Sequence, residues 1–309
     1  LGRRKGGATV TLDIWHKDFY EFVELRTNNG DDRRKAHDIF PSISVPNLFM
    51  ERLIKRENFT LFDPHEVNTV MGFALEDFYD TEEDKAFTEH YLACEKDSRL
   101  HGISVPALEM MKKIMKSAVE TGTPFIFFRD TVNEANPNKH AGMIYASNLC
   151  HEIAQNVGFT NLKKEILEDD GTITTVTAPG DMVTCNLNSI NLGKIDEDFL
   201  EEQIALQVRM LDNVITINQT PVPESRLTCD KYRAIGLGTS GYHHYLVKHG
   251  LRWESKEHIA AADALFEKIA YYAIKASMEL SKEKGAYPAF KGSEWDTGKY
   301  FTRRGYTSE

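Results

Sequence analysis

The sequence predicts an α/β protein whose strands pair mostly in parallel. Three observations lead there. Short runs of β-branched and other apolar residues alternate along the chain with stretches of helical period. The composition, 41% hydrophobic and 27% charged over 309 residues, is that of a globular chain. It excludes wholesale disorder and allows a substantial core without disulfides or a structural metal. No internal repeat, low-complexity segment or long linker interrupts the alternation. The length fits one large or two ordinary domains.

Ala8 to Ile14 is rich in β-branched residues and reads as a strand. Lys17 to Leu25 has helical period, with Phe19, Phe22 and Val23 on one face. In Thr27-Asn28-Asn29-Gly30-Asp31-Asp32-Arg33-Arg34-Lys35, Asn-Gly and the aspartates predict a loop, and the basic residues suit it to anions. Ile39 to Val45 reads as extended and Pro46 to Ile54 as an amphipathic helix. Asp63-Pro64-His65-Glu66 is a helix start, a capping residue followed by Pro in the first turn. Residues 80–120 are charged and helical in pattern. Thr123 to Phe128 predicts a buried strand, and the polar Asp130 to Gly142 a loop. Asp169-Asp170-Gly171 predicts a turn whose second arm is Thr172 to Thr177. Val183 to Leu192 predicts another buried strand. Helices are expected over 198–216 and 257–284, the second stopped by Gly285.

Thirty-seven basic against 47 acidic side chains give a net charge of -10. That argues against a broad nucleic-acid or anionic-membrane surface and leaves room for a local anion site. No apolar run approaches the roughly 18 residues that span a bilayer. The cysteines Cys94, Cys150, Cys185 and Cys229 form no close pair, which excludes a zinc ribbon or a thioredoxin-type motif. Their number, without a signal peptide, points to a reducing, cytoplasmic compartment. The first residues, with no initiator Met, and the polar last ones read as cut from something longer.

Two strings carry candidate chemistry. In Ser147-Asn148-Leu149-Cys150-His151-Glu152-Ile153 an amide, a thiol and a carboxylate alternate. An extended segment would point Asn148, Cys150 and Glu152 to one side, into one pocket, where a sulfur centre, a proton acceptor and an orienting group could act together. The plainer alternative is a buried structural thiol, since unpaired Cys usually behaves as a small hydrophobe. In Val183-Thr184-Cys185-Asn186-Leu187-Asn188-Ser189-Ile190-Asn191-Leu192-Gly193, a thiol and three amides interrupt an apparent buried strand and suggest a polar pocket wall. Taken alone, a strand end with capping amides explains it better.

Other motifs carry less. Gly236-Leu237-Gly238-Thr239-Ser240-Gly241 matches a dinucleotide fingerprint, but no strand of a βαβ unit precedes it, so close packing at a helix start is the better reading. His243-His244 are adjacent and point apart on a helix, which suits surface or capping roles and not a shared metal. Cys94, in a charged helical stretch, and Cys229, in a connecting segment, receive no chemical role. Tyr271-Tyr272 reads as core packing.

Together these strings resemble the large, catalytic subunit of class I ribonucleotide reductase. The resemblance rests on Arg4-Lys5-Gly6-Gly7-Ala8-Thr9-Val10, Trp15-His16, the Asn28 to Lys35 loop, Thr60 to Glu66, Gly122 to Ile126, Ser147 to Ile153, Cys185 to Gly193 and the helix ending at Lys284-Gly285-Ala286. It implies part of a ten-stranded α/β barrel with a central finger loop. Residues 1–145 would be the latter part of the first half, 146–180 the finger loop and a hairpin, and 181–309 the start of the second half. It implies that Cys150 becomes a thiyl radical and takes the ribose 3′-hydrogen. Glu152 would accept the 3′-hydroxyl proton, Asn148 would orient the substrate, and Cys185 would be one of two thiols that end as a disulfide. Asn28, Asn29, Gly30, Arg33 and Arg34 would link effector and substrate, with Arg33 or Arg34 on the base or phosphate; for Lys35 the plainer reading, a solvated basic loop, stands beside this one.

The resemblance further implies no directly bound metal or cofactor and a radical supplied by a metal-containing small subunit. It implies nucleoside triphosphate effectors, thioredoxin or glutaredoxin as reductant, and a homodimer when complete. The upstream redox cysteine, the downstream phosphate loop and Tyr-Tyr pair, the C-terminal cysteine pair and the ATP-cone domain find no match here. The chain is therefore expected to be a fragment or a split piece that works with complementary reductase segments. Two other classes stand beside this one: a non-catalytic nucleotide-binding or assembly module, and a cysteine hydrolase using Cys150 with a histidine. Against the second, adjacent residues of an extended strand face opposite ways, so His151 would not activate Cys150.

Overall fold

The structure is a computed structural model that describes residues 6–306. Arg4 and Lys5, which open the resemblance, lie outside the described residues. The chain divides after Val157 into two compact units. The expected segment 146–180 is split by that boundary: its cysteine string packs within the first unit, and its hairpin belongs to the second.

In the first unit β1 (Ala8–Asp13) leads into α1 (Phe19–Val23), and β2 (Ile39–Val45) leads through Pro46 into α2 (Asn47–Lys55). Then follow β3 (Asn58–Leu61), α3 (Pro64–Met71), α4 (Ala86–Lys96), β4 (Ile103–Pro106) and α5 (Ala107–Thr121). After them β5 (Phe125–Phe128) runs directly into α6 (Arg129–Ala135). The strands β1, β2 and β5 form an open parallel sheet in that order, and β3 pairs antiparallel with β4. The cap read from the sequence is in place: the Asp63 carboxylate accepts from the backbone N–H groups of His65 and Glu66, with Pro64 in the first turn.

Register fixes what the two faces of the parallel sheet do. Side chains alternate along a strand. On one face Ile43 and Val45 join Phe49, Phe59, Tyr91 and Met110 in the core under the helices, with Leu12 and Ile126 beside them. The other face carries the register partners Thr11, Ser42 and Phe125, then Asp13, Ser44 and Phe127. That second face is polar and aromatic, and Ser42 and Ser44 on it are buried. The core itself is aromatic: Phe59 stacks on Tyr91 at 4.7 Å. The Tyr91 hydroxyl accepts from Thr60 N at 2.6 Å and donates to Thr60 O at 2.8 Å.

Two expectations are corrected here. Asp130 to Gly142 does not start as a loop but inside α6, because its first residues have buried partners. Arg129 pairs with Asp13 at 2.9 Å. Asp130 accepts from the backbone N–H groups of Asn47 at 2.6 Å and Asp80 at 2.9 Å. The strand before it is only partly buried, with Phe128 43% exposed. The short strands β3 and β4, four residues each, were too brief for a period to show.

In the second unit β6 (Asn161–Leu167) and β7 (Ile173–Ala178) form the expected hairpin, with Gly171 at φ +83° in its turn. Next come β8 (Leu187–Asn191), α7 (Leu200–Ile217), α8 (Pro223–Tyr232), β9 (Gly236–Ser240), α9 (Tyr242–Lys248), α10 (Lys256–Lys284) and α11 (Lys299–Arg303). β8 and β9 pair in parallel through the α7–α8 crossover. Ile190, Leu192, Ile204, Val208, Leu246, Leu265 and Ile269 form the core.

Four expectations are corrected in this unit. The strand expected over Val183 to Leu192 begins only at Leu187, and that residue is 42% exposed. Cys229 lies within α8, not in a connecting segment. Tyr271 is 62% exposed, and only Tyr272 packs against the core. In the glycine string, Gly236 to Ser240 are strand, and Gly241 alone, at φ +68°, stands at a helix start. His243 and His244 are exposed on α9, as expected. Among the described residues no helix is long and apolar enough to cross a membrane, and no group of three or more His, Cys, Asp or Glu is placed to hold a metal ion.

Candidate functional site

Cys150 does not lie in an extended segment. Leu149 to Glu152 is a bend followed by a turn, so the alternation that would align Asn148, Cys150 and Glu152 is absent. The turn is built from its own polar side chains. The Cys150 N–H donates to Asn148 Oδ1 at 3.0 Å, and the Ile153 N–H donates to Cys150 O at 2.9 Å. The Ser147 hydroxyl points at the carbonyl oxygens of Cys150, at 3.2 Å, and Ile153. Ser and Asn favour such side-chain-closed turns over a strand ladder, which is why the string bends. Cys150 is half-buried and Glu152 exposed.

This turn rests on the polar face of the parallel sheet. The His151 Nε2 lies 3.2 Å from the Ser42 hydroxyl on β2. Its ring packs against Phe125 at 5.1 Å and against Phe127 at 5.6 Å on β5. On the other side of Cys150, the Leu149 side chain approaches Gly7 so closely that a Cβ there would come within 3.2 Å of it. The thiol is thus flanked by one residue seated at the head of β1 and one seated on β2 and β5. Burial holds the His151 imidazole below its ordinary value, with a hydrogen bond to the Asn148 backbone and the charge of Glu152 opposing. That shift favours the neutral ring, and its Nε2 is engaged with Ser42. The sequence reading missed this contact.

The loop after α1 is shaped by two brackets. Arg33 folds back on Asp31, its backbone N–H, Nε and Nη2 all within 3.2 Å of that carboxylate. These hydrogen bonds hold the Asp31 carboxyl below the usual range. Against the solvated reading, Lys35 braces the loop's base, its Nζ donating to Glu24 O at 2.9 Å and Thr27 Oγ1 at 2.8 Å. Gly30 sits at φ +97°, a left-handed position suited to glycine. Asn28, Asn29, Arg33 and Arg34 are exposed. The two arginines are therefore unlike: Arg33 is committed to Asp31, while the Arg34 guanidinium makes no hydrogen bond or ion pair among the described residues.

Cys185 lies in the second unit, half-buried, two residues before β8. The amides near it serve the strand. Asn186 Nδ2 donates to Leu211 O at 2.9 Å and Asn188 Nδ2 reaches Gln207 O at 3.5 Å, tying β8 to α7. Asn191 Oδ1 presses on Gly241, where a Cβ would come within 2.5 Å. Asn186 and Asn191 stand at the two ends of the strand and Asn188 within it.

Residues 1–308 match the model of the family described as ribonucleotide reductase, barrel domain. A ribonucleoside-diphosphate reductase subunit alpha of Treponema pallidum is 51% identical over 319 residues, covering 100% of this chain and 37% of the relative. One of the same name from Helicobacter pylori is 39% identical, covering 96% of this chain and 41% of the relative. A ribonucleoside-diphosphate reductase large subunit of Arabidopsis thaliana is 31% identical, covering 96% and 36%. The chain thus spans well under half the length of each of these relatives.

Proposed function

Because the chain belongs to the ribonucleotide reductase family, whose barrel domain it matches over residues 1–308, we propose that it provides the radical-thiol part of a ribonucleoside-diphosphate reductase catalytic subunit. The observation that carries this reading is the turn at Cys150. A half-buried thiol is held by local hydrogen bonds against the polar face of a parallel sheet, with an amide on one side of it in sequence and an exposed carboxylate on the other. Radical chemistry needs a sulfur whose position is fixed and whose surroundings exclude stray reductants.

In this proposal Cys150, as a thiyl radical, takes the 3′-hydrogen of the ribose. Glu152 accepts the 3′-hydroxyl proton, and the 2′-oxygen leaves as water. Cys185 and a second thiol supply two electrons and end as a disulfide, which thioredoxin or glutaredoxin would reduce. Asn148 orients the substrate, and the Asn28 to Arg34 loop relays which base is taken. A separate metal-containing subunit supplies the radical, nucleoside triphosphates act as effectors, the complete enzyme is a homodimer, and it works in the cytoplasm. The rest of the barrel comes from complementary segments.

The test is reduction of a ribonucleoside diphosphate by the complete enzyme carrying this chain. Cys150→Ser, Glu152→Gln and Cys185→Ser are each expected to cut turnover by about a hundredfold or more, with nucleotide binding retained. Binding that survives Cys150→Ala together with no reduction by the unmodified enzyme would favour the non-catalytic assembly module. Reduction that survives Cys150→Ser would refute the assignment.

A further inference from the structure

We infer that His151 is the positioning residue of the Cys150 turn, acting through Ser42. The turn's local bonds, from Ser147 and Asn148, set its internal shape but not its place on the sheet. Its place comes from the residues on either side of the thiol. Leu149 makes a contact that slides easily: it is apolar, 43% exposed, and meets a glycine. His151 makes a directional one. Its Nε2 meets the Ser42 hydroxyl at 3.2 Å, on a side chain that is wholly buried, while its ring is wedged on Phe125 and Phe127. A hydrogen bond fixes distance and two ring contacts fix tilt, so one side chain sets the backbone one residue from the thiol. Ser42 and Phe125 are register partners on adjacent strands, and so are Ser44 and Phe127. The imidazole is therefore seated across the β2–β5 pair, and it refers the thiol's position to the sheet. A phenylalanine at 151 would keep the ring contacts and lose the hydrogen bond; an alanine would lose both.

This inference rests on the reductase reading only for its purpose, and its test does not read reductase activity. Cys150 of the full chain is labelled with iodoacetamide, the rate being followed by peptide mass. Cys94, 1% exposed in α4 of the same unit, serves as the internal reference for unfolding. Ser42→Ala is expected to raise the Cys150 rate roughly fivefold, the worth of one hydrogen bond of ordinary strength, and His151→Ala, which also loses the ring contacts, at least as much. The double variant should go little beyond His151→Ala, because both changes remove the same bond, and Ser42→Thr, which keeps a hydroxyl, should restore slow labelling. Cys94 should stay slow throughout. Four results would each overturn the inference: unchanged Cys150 rates, a response to His151→Ala without one to Ser42→Ala, additive effects in the double variant, or Cys94 accelerating in step with Cys150. The last would make His151 a general prop of the fold.

Discussion

The buried pair of Arg129 and Asp13 gives the firmest quantitative expectation. The Arg129 side chain is 2% exposed and donates from Nη1 to Asp13 Oδ1 at 2.9 Å, while the Asp13 side chain is 18% exposed. The same guanidinium donates from Nη2 to the Glu76 carbonyl. Replacing Arg129 by Met keeps much of the volume but leaves a largely buried carboxylate without its cation and a carbonyl without its donor. Removing one partner of a buried ion pair costs about 3–5 kcal/mol. Asp13 keeps some access to water, so the lower end applies, about 3 kcal/mol, or roughly a hundredfold in the unfolding equilibrium of the first unit. Amide hydrogen exchange of peptides covering β1 and β2 measures it directly, and their protection should fall by about that factor. Lys112→Ala provides the contrast. Its pair with Glu109 is 61% and 56% exposed, so its loss should stay within about 0.5 kcal/mol. A change under threefold for Arg129→Met, or equal effects of the two variants, would refute the argument that the β1–α6 junction is held by this charge pair.

His151 makes the first unit sensitive to acid. Burial holds its folded-state value below the ordinary histidine value of about 6.5. Between those two values the unfolded chain binds more protons than the folded one, so stability rises with pH across that window and is lost as acid is added. Urea titrations over about pH 5 to 8 should show this limb, and His151→Phe should flatten it; an unaltered slope would count against it. Gly241→Ala should destabilise the second unit by about 1–3 kcal/mol, since φ is +68° and the new Cβ would press on Asn191 Oδ1. A thermal midpoint unchanged from wild type would contradict this. In the complete enzyme, Arg34→Ala should alter base preference more than Arg33→Ala, because Arg33 is bracketed by Asp31, and both should leave stability within about 0.5 kcal/mol. Competition between pyrimidine and purine diphosphates measures the shift, and equal preferences in all three proteins would sink the distinction.

Much of the fold was legible because much of it is local. The Asp63-Pro64 cap, the strand of β-branched residues from Ala8, and the long helix stopped by Gly285 depend on neighbours a few positions apart. The errors fall where distant partners decide. Arg129 and Asp130 look like the start of a polar loop until their partners appear, 116 residues away for Arg129 and 83 and 50 away for Asp130. Lys35 looks solvated because the carbonyl it braces belongs to the preceding helix segment. Val183 to Leu192 looks like a buried strand because its apolar content suggests burial, whereas Asn186 and Asn188 are spent on tying the strand to α7.

The cysteine string shows both limits at once. Its residue types stand out in the sequence, but their alternation predicts an extended segment that their own chemistry opposes. Ser147 and Asn148 are turn formers whose side chains compete with a strand ladder for backbone groups. That was a signal within the string itself, and it outweighs a period-2 pattern of only three residues. The remaining piece could not have come from any local pattern, because Ser42 lies 109 residues from the histidine it meets. In an extended strand His151 would face away from whatever Cys150 faces, and it would be dismissed on that ground. In a turn, the same residue can fold down onto the sheet while the thiol stays half-exposed, so its adjacency to Cys150 becomes the reason it can hold that thiol in place. The geometry also weighs against the hydrolase alternative. An imidazole seated on Ser42 and packed against Phe125 and Phe127 is already spent on anchoring and is not poised as a base beside the sulfur.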